Sequence, residues 1–103
     1  MPILVELRIV PIGTCGTSLS RYVAGAVEIL RKKGVKHVVG PLCTFIEVGD
    51  YGELAEMLRE IAEHLKSQGV QRIGFDLHIH VRFDKEQTLE GMVRSLEEKL
   101  RKH

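Results

Sequence analysis

The sequence has 103 residues, with 15 Lys and Arg against 14 Asp and Glu, so its formal net charge is +1. A chain of this length builds one core, so we expect a single domain over residues 1–103 without separate cofactor and substrate domains. Hydrophobic residues make up 44% and charged residues 28%, which is ordinary globular usage and argues against disorder or a fibrous fold. The balanced charge gives no support for a nucleic-acid or anionic-membrane partner.

The sequence shows no sign of membrane insertion or secretion. No stretch approaches the roughly 20 apolar residues that span a bilayer, and no basic region followed by a long apolar segment opens the chain. Two cysteines, Cys15 and Cys43, are too few for a disulfide framework and too far apart for a CxxC motif. These features predict a cytoplasmic protein. The lack of Asn beside abundant Glu, Lys and Arg favours a thermophilic source.

The N-terminal third of the chain predicts a strand followed by a helix. Apolar and polar residues alternate over Leu4–Val10, as in a strand with one buried face, and Pro11 is expected to end it. Ser18 is suited to the N-cap of a helix whose apolar residues recur three and four positions apart. Gly34 is expected to end that helix in a left-handed conformation.

The middle of the chain predicts two short strands and a second helix. The β-rich runs 35–39 and 44–48 are separated by a Gly-Pro pair that suits a hairpin-like turn. Asp50 followed by Glu53 resembles a capping box at the start of the second helix. His64 lies on the polar side of that helix, where we expect it to be solvated.

The C-terminal third predicts a long strand and a last helix. Apolar and polar residues alternate strictly over Ile73–Phe83, which is typical of a strand with two different faces. The helix that follows carries five apolar residues on one face: Leu89, Met92, Val93, Leu96 and Leu100. The element order predicts an α+β, ferredoxin-like βαββαβ sandwich, in which a four-stranded antiparallel sheet has helices on one face, plus a C-terminal helix.

The two-residue period of a strand assigns each side chain to one face of this sheet. Residues expected on the face away from the helices are mainly polar: Glu6, Arg8, Cys43, Phe45, Glu47, Asp76, His78, His80 and Arg82. We call this the open face. It is either a solvated surface with cross-strand ion pairs or a surface for a ligand or another subunit.

The HxH pair on the last strand places two imidazoles on the open face. His78 and His80 are spaced so that both can bind one Zn²⁺ or Cu²⁺ ion if a neighbouring strand supplies a third ligand. Glu6, Glu47 and Asp76 are candidates for that ligand. Hydrogen-bonded surface histidines are the simpler interpretation, and a metal site is the alternative.

No motif of a known catalytic centre is present. The sequence contains no P-loop, HExxH or GxSxG motif, and no nucleophile, base and orienting residue can be grouped. We therefore predict a protein that is not an enzyme and uses no cofactor. Cys15 and Cys43 are expected near the same edge of the sheet as two free thiols, with a disulfide as the alternative.

Four motifs carry a resemblance to a known family: Pro11-Ile12-Gly13-Thr14, then Thr17-Ser18-Leu19-Ser20-Arg21-Tyr22-Val23, then Thr44-Phe45-Ile46-Glu47, and finally Arg82-Phe83-Asp84-Lys85. Together with the element order, they resemble the YkoF-like thiamine-binding family of small ferredoxin-like proteins. Members of that family are typically homo-oligomers, often tetramers, that bind thiamine or its hydroxymethylpyrimidine part without changing it.

The resemblance implies that a homotetramer of this chain binds thiamine or a related hydroxymethylpyrimidine-type small molecule. Glu47 would pair with the aminopyrimidine ring, and Phe45 would offer an aromatic surface. Thr14, Ser18 and Thr44 would add short polar contacts. A metal-binding protein and a purely structural or regulatory assembly protein are the alternatives.

Overall fold

A computed structural model describes residues 2–14, 16 and 19–102, and it contains four strands and three helices in the predicted order. Their bounds are β1 Ile3–Ile12, α1 Ser20–Lys33, β2 Lys36–Val39, β3 Thr44–Val48, α2 Tyr51–Ser67, β4 Arg72–His80 and α3 Leu89–Arg101. The strands form one antiparallel sheet in the order β2-β3-β1-β4. The predicted α+β, ferredoxin-like class is confirmed.

The hydrophobic core lies between one face of the sheet and the helices α1 and α2. The sheet contributes alternate residues, among them Val5 and Leu7 of β1 and Ile46 of β3, all of which are buried. The helices contribute one apolar face each: Tyr22, Ala26 and Leu30 from α1, and Leu54, Met57, Ile61 and Leu65 from α2. Burial of each large aliphatic side chain stabilises the fold by about 1.5–3 kcal/mol. Because this core uses one face of the sheet, the open face is left for other contacts.

The expectation that Pro11 ends the first strand is wrong, because β1 continues to Ile12. Pro11 lies opposite Ile73 of β4. On its other side β1 has no partner at this point, since its pairing with β3 stops at Leu7. A proline lacks a backbone N–H, and a strand tolerates it where only one neighbour is present.

The expectation of a strand reaching Phe83 is also wrong, because β4 ends at His80. His80 lies opposite Leu4, near the start of β1, so the sheet offers little backbone beyond it for pairing. Phe83 is 87% exposed, and the neighbouring Arg82 forms an ion pair with Asp84 outside the strand. Arg82 therefore does not belong to the open face.

The helix ends follow the sequence signals in most places. Asp50 caps α2, since its Oδ1 accepts a hydrogen bond of 2.7 Å from the backbone N–H of Glu53. Gly34 ends α1 with a φ of 71°, in the left-handed region that favours glycine. At the start of α1 the N-cap is Leu19, which makes no side-chain cap hydrogen bond, and the predicted cap Ser18 lies outside the described residues.

His64 corrects the expectation of a solvated side chain. Its Nε2 atom is buried and has no hydrogen-bond partner among the described residues. The ring lies against Gly25 of α1, where an added Cβ would be 2.6 Å from Nε2. The missing side chain at position 25 therefore makes room for the imidazole between α1 and α2.

The last helix, α3, stands apart from the helical layer that covers the core. It has no buried residue, and its apolar face is between 50% and 63% exposed at four positions: Met92, Val93, Leu96 and Leu100. The Cα radius of gyration is 15.3 Å, whereas a compact chain of this length has a value of about 13 Å. The molecule is therefore elongated and leaves an apolar helix face uncovered. No helix in the described part of the chain is long and apolar enough to cross a membrane.

Candidate ligand-binding groove on the open face

The register of β1 with its two neighbours builds the open face. Side chains that lie opposite each other or two positions apart along a strand share one face. Two adjacent rows result, each with one residue from β3, β1 and β4: Phe45, Glu6 and His78 in the first, and Glu47, Leu4 and His80 in the second. Five residues expected on this face are thus brought together across its three adjacent strands: Glu6, Phe45, Glu47, His78 and His80.

A groove lies between this part of the open face and the first turns of α3. It has a volume of about 290 Å³ and is lined by Leu4, Val5, Glu6, Val38, Phe45, His80, Leu89, Met92 and Val93. Its walls are almost entirely apolar, while Glu6 and His80 contribute charged or polar atoms. Apolar and aromatic walls with few polar groups are typical of sites for small organic molecules.

Glu47 holds α3 against the sheet. Its Oε1 atom accepts a hydrogen bond of 2.9 Å from the backbone N–H of Leu89, and its Oε2 atom lies 3.7 Å from Nζ of Lys36. The Glu47 side chain is only 10% exposed. A carboxylate is favoured at a helix N-terminus, where backbone N–H groups lack partners within the helix. Glu47 does not line the groove, and its carboxylate contacts the backbone of α3 and the Lys36 side chain.

The other predicted contact residues lie away from the groove. Thr44 is 4% exposed on the helix-covered face, where it borders a cavity of about 100 Å³ formed by loop 40–43 and the start of α1. Thr14 is partly exposed beyond the end of β1, and Ser18 lies outside the described residues. Of the predicted ligand-binding residues that the structure describes, Phe45 is the one that lines the groove.

The sequence interpretation missed the wall that α3 contributes. Leu89, Met92 and Val93 belong to the apolar face predicted for this helix, but its partner surface was not assigned. One signal was present, since α1 and α2 already cover the other face of the sheet in a ferredoxin-like fold. A third amphipathic helix can then bury its apolar side chains by packing against the open face of the sheet.

A compact polar cluster lies beside the groove. His78 Nδ1 is 3.1 Å from Glu6 Oε2, and His80 Nε2 is 3.8 Å from the same oxygen. The centroids of the two imidazole rings are 4.2 Å apart. Asp76 does not join this cluster, because it forms a 2.8 Å ion pair with Arg8. Glu6 is therefore the carboxylate that faces both histidines.

The predicted proximity of the two cysteines stays a prediction, because Cys15 lies outside the described residues. Cys43 is partly buried and borders a shallow depression on the open face together with Arg8 and His78. Its thiol is free. A disulfide to Cys15 is therefore neither supported nor tested by the part of the chain that the structure describes.

Known proteins are similar to this chain over nearly its whole length. A family model described as thiamine-binding protein matches residues 5–97. A UPF0045 protein from Methanothermobacter thermautotrophicus is 39% identical over 98 residues, which cover 95% of this chain and 99% of that protein. A UPF0045 protein from Bacillus subtilis is 32% identical over 101 residues, with 94% and 96% covered.

Solved structures also show the same fold. A hypothetical protein from Methanocaldococcus jannaschii is 31% identical with a TM-score of 0.81, and the match covers 94% of this chain and 97% of that one. A proposed thiamine biosynthesis or salvage protein from Thermotoga maritima is 26% identical with a TM-score of 0.78, with 93% and 99% covered. The similarity therefore extends over more than nine-tenths of the chain.

Proposed function

Because the chain belongs to the thiamine-binding protein family, we propose that it binds thiamine or a related hydroxymethylpyrimidine-type small molecule in the groove between the open face and α3. One observation carries this proposal: Phe45 and Glu6 lie opposite each other in a groove whose other lining residues, apart from His80, are apolar. An aromatic face stacks against a flat heteroaromatic ring or a cationic ring. A neighbouring carboxylate accepts hydrogen bonds from an amino group on such a ring.

In this arrangement Glu6 takes the role that the family resemblance assigns to Glu47. The Glu6 side chain is 43% exposed and borders the groove, so a ligand can reach it. Glu47 instead bonds the backbone of α3 and positions the wall of the groove. In this proposal Glu6 contacts the ligand, whereas Glu47 holds α3 in the position that forms the groove.

Binding without chemical conversion fits the groove chemistry. Among the described residues that line it, Glu6 and His80 are the titratable ones, and no hydroxyl or thiol side chain stands beside them. A carboxylate and an imidazole can exchange protons, but the described residues of the groove supply no hydroxyl or thiol for them to activate. This composition supports a binding protein.

We infer that the binding unit is a homo-oligomer. The apolar face of α3 is exposed beyond the groove, chiefly at Leu96 and Leu100. A second copy of the chain that covers this face would bury apolar surface and shield the groove from solvent. A tetramer, as the family resemblance implies, would let each copy cover the groove of another.

The proposal can be tested by isothermal titration calorimetry with thiamine and with hydroxymethylpyrimidine. We expect saturable heat with at least one of them, and an affinity at least tenfold lower, about 1.4 kcal/mol, in the Phe45→Ala variant. Phe83→Ala is the matched control, since Phe83 is 87% exposed outside the groove, and it should bind as the wild type does. No heat at millimolar ligand, or equal losses in both variants, would contradict the proposal.

A further inference from the structure

We propose that Glu6, His78 and His80 form a binding site for one divalent transition-metal ion, represented by Zn²⁺, on the open face. This site goes beyond the proposed binding of a small molecule and does not depend on it. The inference rests on how β1 and β4 place the three side chains, on the distances between their ligand atoms, and on their access to solvent.

The strand register brings the three side chains close together on the open face. Glu6 of β1 lies directly opposite His78 of β4 in the antiparallel pair. His80 lies two residues further along β4, on the same face. Two imidazoles from one strand thus flank one carboxylate from the next, and the sheet backbone fixes their spacing.

The distances from Glu6 to the two histidines are compatible with one shared ion. Two atoms that each lie about 2.1 Å from one metal ion are about 3–4 Å apart. The separations from Glu6 Oε2 are 3.1 Å to His78 Nδ1 and 3.8 Å to His80 Nε2. The second distance is too long for a hydrogen bond, although that nitrogen faces the oxygen. The three ligand atoms lie within 4.8 Å of one another, so small ring rotations complete the set.

The surroundings leave the site accessible and give it a chemical preference. The His78 side chain is 70% exposed and Glu6 is 43% exposed, so an ion can enter from solvent, and water can fill a fourth position. In the next row of the sheet, Arg8 is engaged by Asp76 and does not compete for Glu6. Two imidazole nitrogens favour Zn²⁺, Cu²⁺ or Ni²⁺ over Mg²⁺ or Ca²⁺, which prefer oxygen ligands.

The site and the groove share Glu6 and His80, whereas His78 and Phe45 each belong to one of them. This difference allows the two proposals to be tested separately. His78→Ala should weaken metal binding at least tenfold and leave the groove intact. Phe45→Ala should lower the affinity for the small molecule and leave metal binding intact.

The experiment uses the full chain without a histidine tag, treated with chelator and then titrated with ZnCl₂ by calorimetry. Elemental analysis after desalting measures the zinc retained, and the visible absorption of bound Co²⁺ reports on the ligands. We expect one ion per chain and an affinity at least tenfold lower in His78→Ala and in His80→Ala. His37→Gln is the matched control, because His37 Nδ1 bonds the carbonyl of Val35 away from the cluster.

Three results would overturn the metal site. The first is no saturable Zn²⁺ binding by the wild-type chain, and the second is unchanged affinity in His78→Ala and His80→Ala. The third is an equal loss in His37→Gln, which would show that dispersed surface histidines bind the ion. Circular dichroism and thermal unfolding of each variant confirm that the loss of metal does not come from loss of the fold.

Discussion

Glu47 joins two parts of the chain that are 42 positions apart, because its carboxylate bonds the backbone N–H of Leu89 at the first turn of α3. Glu47→Ala removes this acceptor and leaves a partly buried N–H group unpaired. We expect the free energy of unfolding to fall by about 1–2 kcal/mol and the amides of α3 to exchange faster with solvent. Urea unfolding and amide hydrogen exchange measure the two effects.

Two variants control this prediction. Glu47→Gln keeps an oxygen acceptor for Leu89 and should lose less stability than Glu47→Ala. Glu98→Ala removes an exposed carboxylate on α3 itself and should leave the free energy of unfolding within about 0.5 kcal/mol of the wild type. Equal losses in Glu47→Gln and Glu47→Ala would argue against the role of the hydrogen bond.

The contact between Gly25 and His64 gives a second prediction at the residue scale. Ala at position 25 should favour the helix by about 1 kcal/mol, but its Cβ would lie 2.6 Å from His64 Nε2 and displace the ring. We therefore expect Gly25→Ala to be more favourable in a His64→Ala background than in the wild type, by at least about 1 kcal/mol. A double-mutant cycle by urea unfolding measures this coupling, and additive effects would show that the ring moves freely.

At the scale of the elements, ion pairs with arginine lie along both core-covering helices and after β4. Hydrogen bonds from Arg31 and Arg59 lower the pKa values of Glu28 and Glu56, each three residues away on its helix. A hydrogen bond from Arg82 likewise lowers the pKa of Asp84. Each carboxyl group thus binds its proton less readily in the folded chain than in the unfolded one.

The sign of the resulting pH dependence follows from linkage. Because each paired carboxyl group has a lower pKa in the folded chain, its ion pair stabilises the fold at pH values above about 4, the usual carboxyl pKa in an unfolded chain. This contribution is lost as the pH falls below that value. Arg59→Gln should raise the pKa of Glu56 toward its ordinary value, which a carboxyl NMR titration measures. Arg94→Gln on α3 is the control and should leave it unchanged. Because the pair is exposed, we expect high salt to reduce the difference.

The elements themselves were largely predictable from periodicity. Thr44–Val48 was predicted as β3, and Asp50 as the cap of α2. The errors occurred at the ends of β1 and β4. The limits of β1 and β4 depend on which strand lies alongside each residue. Pro11 is tolerated because β1 is not paired with β3 at that position. Pairing partners of this kind are not encoded in a local pattern.

At the scale of the whole molecule, the exposed face of α3 and the large radius of gyration predict self-association. We expect size-exclusion chromatography with light scattering to give a multiple of the 11.6 kDa chain mass, namely four copies if the family resemblance holds. The double variant Leu96→Glu/Leu100→Glu places charges on the apolar face and should shift the mass toward one copy.

The matched control for this experiment is Glu97→Gln, an exposed polar position on the same helix, which should keep the wild-type mass. A wild-type mass of 11.6 kDa at tens of micromolar would contradict self-association, because it would show that no second copy covers α3. Ligand titrations of the double variant then show whether the groove binds its molecule without a neighbouring chain.

The class of fold, the two faces of the sheet and the polar character of the open face could all be predicted from the sequence alone. These features follow from the two-residue and 3.6-residue periods of apolar side chains, which can be read directly from one amino-acid sequence. The sequence also placed Phe45 and the two histidines of β4 on the open face, because alternation along a strand assigns them there.

How those residues are used depends on contacts that form only in the folded chain. The register of β1 with β4 selected Glu6, and neither Asp76 nor Glu47, as the carboxylate that faces His78 and His80. The position of α3 brings the backbone N–H of Leu89 to the Glu47 carboxylate and creates the wall of the groove. Both outcomes depend on which surfaces meet across long sequence separations, and those contacts are set by packing in three dimensions.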